Sequence, residues 1–101
     1  MHWEITEYKL ATYSMDPAGY LRGAIALFDA PGSYVGTIFF YRNDYELPPA
    51  SLSAGVVMKF HISEMPLIVD MLRNESPIYL SASGSMAHLG TMKEPIGEGE
   101  P

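Results

Sequence analysis

Tyr34-Val35-Gly36-Thr37-Ile38-Phe39-Phe40-Tyr41 reads as a β-strand that is apolar on both faces. Side chains alternate across a strand, so Tyr34, Ile38 and Phe40 are expected on one face and Val35, Phe39 and Tyr41 on the other. A small domain covers one such face with its own core. The second needs the far wall of a closed barrel, a second subunit or a ligand. Burying a Val- or Phe-sized side chain stabilises by about 1.5–3 kcal/mol. Exposure of Val35, Phe39 and Val57 together would therefore forgo a sizeable part of a domain stability of about 5–15 kcal/mol. The second face should be covered.

Outward from this segment the pattern stays β-rich. Upstream, Ala30-Pro31-Gly32-Ser33 has the Pro-Gly order of a type II turn. Tyr20 to Asp29 is a strand with Leu21, Ile25 and Leu27 inward, and its small residues Gly23, Ala24 and Ala26 permit close approach of another backbone. Asp16-Pro17-Ala18-Gly19 is a turn. Before it, Trp3 to Ser14 reads as one long strand with a phase slip. Trp3 and Ile5 share a face, but Tyr8 and Leu10 belong to the other, which signals a β-bulge near Thr6-Glu7. Short connections make these three strands an antiparallel meander.

Downstream, Asn43 to Ala54 carries Pro48-Pro49 and scattered Asn, Asp and Ser, the chemistry of a long loop. Gly55 to Ile62 alternates as a fourth strand, with Val56, Met58 and Phe60 inward and Val57, Lys59 and His61 outward. Ser63 is the expected N-cap of the single helix, and Pro66 fits its first turn. Met65, Ile68, Val69 and Leu72 form its buried stripe, widened by Leu67 and Met71. Pro77 stops it near Asn74 to Ser76. Ile78 to Ala82 and Met86 to Met92 form a last pair of strands around a Ser83-Gly84-Ser85 hairpin turn.

The expected fold is α+β and mainly antiparallel, in the order β-β-β-β-α-β-β. Its six strands form a strongly coiled sheet or small barrel with one helix against it. Residues 1–92 form one β-rich domain, followed by an acidic Gly/Glu/Pro tail over 93–101.

Composition narrows the partners. The 101 residues carry a net charge of −6, and the six basic residues, Lys9, Arg22, Arg42, Lys59, Arg73 and Lys93, are scattered. Duplex nucleic acid and anionic membrane need clustered positive charge, so neither is expected. No cysteine is present, which removes disulfides and thiolate chemistry and is compatible with a reducing compartment. With no signal-peptide pattern and no apolar run approaching about 20 residues, a soluble cytoplasmic protein is the default expectation.

Catalytic patterns are weak. His2, His61 and His88 show no ligand spacing, and His2 with His88 could meet only through folding. Ser81, Ser83 and Ser85 are explained by the hairpin, and no Gly-x-Ser-x-Gly elbow exists. Paired acids such as Asp44 and Glu46 read as solvated loop charges. Neither a cofactor nor a metal is expected, and an enzyme is the least favoured reading. The leading expectation is a non-enzymatic self-associating or protein-binding module, a homodimer with contact residues Val35, Phe39, Tyr41 and Val57. Next comes a carrier of a small apolar ligand in a cavity of the curled sheet, with Tyr45, Leu47 and Leu52 on a lid. A single-stranded nucleic-acid module ranks third, since the plentiful aromatics lack a positive groove.

Overall fold

A computed structural model describes residues 2–13, 19–50, 52, 55–83 and 86–91. Its elements are β1 (His2–Ile5), β2 (Glu7–Thr12), β3 (Leu21–Phe28), β4 (Tyr34–Tyr41), β5 (Val56–His61), a 3-10 turn (Ile62–Glu64), α1 (Met65–Asn74), β6 (Ile78–Ser83) and β7 (Met86–Thr91). The fold is α+β and mostly antiparallel, as expected. Seven strands in two sheets replace the expected six-stranded coil or closed barrel: one sheet runs β2-β3-β4-β5 and the other β1-β6-β7. Of the expected features, most of the turn at 16–19, the Gly84-Ser85 part of the hairpin and the tail at 93–101 lie outside the described residues.

The phase slip in the first strand has a different cause from the one expected. The chain changes sheets at Thr6, whose N–H donates to the Phe28 carbonyl at 2.9 Å. Trp3 and Ile5 pair with Leu80 and Ile78 in the small sheet, while Tyr8 and Leu10 pair with Leu27 and Ile25 in the large one. Ile5, Trp3 and Tyr8 reach the core because the strand turns the corner between two layers, a common device at sandwich edges, while Leu10 stays 44% exposed.

β2, β3 and β4 make the expected antiparallel meander. β5 then pairs with β4 in parallel. A parallel neighbour requires the chain to return along the sheet before the next strand starts, and the residues between Tyr41 and Val56 provide that crossover. This single parallel pair, together with the sheet change at Thr6, accounts for the departure from a closed barrel. β5 and β7, the last strands of their sheets, touch without a ladder between them.

The core lies between the layers. Ile25, Leu27, Ile38, Phe40, Val56 and Met58 of the large sheet meet Ile5, Ile78, Leu80 and Ala82 of the small one and Ile68 of α1. Met65, Val69, Met71 and Leu72 pack against this cluster, in line with the apolar stripe. Leu67 does not join it and remains 66% exposed, because the inner surface is already filled by its neighbours on the stripe. Gly23 makes room for the helix: a Cβ there would sit 2.8 Å from Met65 Cε. Ser63 does not cap α1; the chain enters through the 3-10 turn with Glu64 at the N-cap and no side-chain cap bond. The helix ends at Asn74, with the Glu75 N–H donating to the Met71 carbonyl at 3.0 Å. Among the described residues no helix is long and apolar enough to cross a membrane.

Candidate functional site: the outer face of the large sheet

Register assigns each side chain of the large sheet to a face. Ile25, Ile38 and Met58 form one inward row, and Gly23, Phe40 and Phe60 another. The intervening outward rows are Lys9-Ala26-Thr37-Val57 and Ala11-Ala24-Phe39-Lys59. Where β3 meets β4, Leu27 pairs with Gly36 but Phe28 pairs with Tyr34, so Val35 is the extra residue of a bulge. The bulge reverses the alternation at the start of β4. Tyr34, expected inward with Ile38 and Phe40, lies outside, with its hydroxyl in hydrogen-bond contact with Thr37 Oγ1. Its ring meets Phe28 edge to face at 6.1 Å. Val35, expected outside, joins the core at 6% exposure.

One end of this outer face is covered by the chain itself. Tyr41 is 7% exposed. Its ring lies 5.3 Å from Tyr20 and 5.2 Å from Tyr45, and those two rings are 4.7 Å apart. Burial raises the Tyr41 phenol above the usual tyrosine range, and the neighbouring Tyr20 and Tyr45 add to the effect. The crossover is strapped down beside these rings. His61 Nε2 donates to the Tyr45 carbonyl at 2.7 Å; a carbonyl only accepts, so the His61 proton sits on Nε2. Lys59 Nζ donates to the Pro49 carbonyl at 2.8 Å. The Ser63 N–H donates to Asn43 Oδ1 at 3.1 Å, and Arg42 Nε pairs with Asp44 Oδ1 at 3.0 Å. Lys59 and His61 face outward as expected, but they serve as anchors for the crossover.

The sequence-derived contact residues therefore separate. Phe39 and Val57 remain half-buried on the outer face, whereas Val35 and Tyr41 are buried within the chain. Tyr45 and Leu47 are half-buried and Leu52 is exposed, all three on the crossover. Beyond the strapped end, Phe28, Tyr34, Phe39 and Val57 share this face with Ala26 and with Ala24, which is already buried. Tyr34 is 50% exposed. Phe28 and the bulged Tyr34 are additions to the expected set. The alternation that sends Leu27 inward already sends Phe28 outward, but no local signal marks the bulge.

Other clefts among the described residues lie elsewhere. One of about 390 Å³ separates the β1–β2 corner from the end of α1, and one of about 410 Å³ lies along the β6–β7 hairpin. A third, of about 270 Å³, sits between β5 and β7 and includes Met58, Phe60 and Met86. Among the described crossover residues, Ala50 lines the third of these. No family model, no curated protein and no solved structure matches the chain.

Proposed function

We propose that this chain is a self-associating module that pairs as a two-fold dimer through the outer face of its large sheet. The observation that supports this reading is the half-covered face itself. The crossover shields the Tyr41 end, while Phe28, Tyr34, Phe39 and Val57 are left at least partly open beside the small side chain of Ala26. Small residues let an opposing sheet approach, and aromatic side chains concentrate contact energy in an interface core. A two-fold axis brings the same patch against itself, the usual arrangement in homo-oligomers. Glu7 and Lys9 on the β2 margin supply charges of both signs, so an antiparallel pairing can set each against its opposite in the second copy.

The test is the solution mass of two variants. Phe39→Glu buries an unpaired carboxylate in the interface, and Tyr34→Arg places a bulky cation on its exposed rim. Both should shift the chain to the monomer while leaving the β-sheet circular dichroism unchanged. A wild-type dimer that survives both substitutions would overturn the assignment.

A further inference from the structure

The two sheets leave an open seam where their last strands meet. β5 ends the large sheet and β7 the small one, and they touch without sharing a ladder. Two clefts along this seam share Met86 and Ala87. The smaller, of about 270 Å³, is lined by these two with Ala50, Met58, Lys59 and Phe60. The larger, of about 410 Å³, extends along the hairpin and includes Ala82. Met86 is 77% exposed, the most of any large apolar side chain among the described residues, and Phe60 and Ala87 are half-buried beside it.

Charge sets the seam apart. The chain has 12 acidic residues against six basic ones, yet among the described residues neither cleft is lined by Asp or Glu. Lys59 supplies a positive charge there. Its Nζ donates to the Pro49 carbonyl at 2.8 Å. Ala50, the next residue, lines the same cleft as Lys59, so the ammonium sits at the crossover end of it. An ammonium carries three donors, and Pro49 takes one.

We propose that this seam binds a single-chain alkyl carboxylate, a free fatty acid of medium length. The carboxylate accepts charge-assisted hydrogen bonds from Lys59 Nζ. The alkyl chain lies over Met86, Phe60 and Ala87 and takes their exposed surface out of water. Methionine suits this role, because its flexible, unbranched thioether reshapes around a chain. A cleft of about 270 Å³ lies just below the range of about 300–1,000 Å³ that holds drug-sized ligands, which favours one short chain over a bulkier lipid. None of these residues belongs to the set assigned to the dimer contact, so the site does not depend on it.

The experiment is an NMR titration of the full chain with octanoate below its micelle-forming concentration, with octanol and octylammonium as head-group controls. One octanoate per chain is expected, with amide shifts at Lys59, Phe60, Met86 and Ala87. Octanol and octylammonium should bind at least about tenfold more weakly. Lys59→Gln keeps a donor for the Pro49 carbonyl; it should lose about tenfold in octanoate affinity and leave octanol affinity unchanged. Met86→Ser should weaken octanoate and octanol alike. Leu67→Ser removes a comparably exposed apolar side chain from α1 and should change neither. Four results would overturn the proposal: no saturable binding of octanoate, octanol binding as tightly as octanoate, octanoate affinity unchanged in Met86→Ser, or an equal loss in Leu67→Ser.

Discussion

A methyl group at position 36 would press on the Val56 carbonyl oxygen and come within 3.0 Å of Val56 Cβ. Gly36 is thus a contact residue of the parallel β4–β5 pair, where backbone rather than a yielding side chain stands in the way. Gly36→Ala should cost about 1–3 kcal/mol, read as a lower urea midpoint at unchanged slope. Tyr41 gives a pH signature. Its folded-state pKa is raised by burial and by Tyr20 and Tyr45, so the folded chain keeps a proton that the unfolded chain releases near pH 10. The associated stability is fully present below about pH 10 and is lost as pH climbs through the folded value. Wild-type protein should lose more melting temperature between pH 9 and pH 11 than Tyr41→Phe does.

At the scale of elements, the crossover acts as a strap across the outer face. Removing the Tyr45 ring deletes two aromatic contacts, each contributing about 0.5–1.5 kcal/mol. Tyr45→Ala should therefore destabilise by about 1–3 kcal/mol and speed amide exchange at Tyr41, Arg42 and Tyr45. Helix α1 offers a contrast on one element. Ile68→Ala removes a core side chain and should cost about 2–5 kcal/mol, whereas Leu67→Ala, at a surface position, should stay within about 0.5 kcal/mol. The helix and its inward stripe were legible because a 3.6-residue period is local information. The direction of β5 was not, since a strand's alternation is the same for parallel and antiparallel neighbours. The strap was equally hidden: Lys59 and His61 grip the backbone carbonyls of Pro49 and Tyr45, which carry no residue signature.

For the whole molecule, the second face of the doubly apolar strand receives cover at its Tyr41 end from the segment that the sequence marks as a lid, without the ligand cavity beneath it that a lid implies. Tyr20 and Tyr45 stack on Tyr41 there. Phe39 and Val57 were readable as outward residues from alternation alone, while Val35 and Tyr34 exchanged faces through a bulge that no local pattern announces. The β5–β7 seam depends on two strands of different sheets coming together, which spacing along the sequence cannot express. Association through the outer face should also respond to salt. With a net charge of −6 on each copy, screening weakens mutual repulsion, so dimer affinity should rise between low and physiological ionic strength.

The central claim is that a second copy covers what the crossover leaves open. Light scattering coupled to size exclusion, across a wide range of loading concentrations, tests it most directly. A mass of twice the 11.2 kDa chain that falls toward one chain only on strong dilution is the predicted result. A mass of 11.2 kDa at every concentration would contradict it.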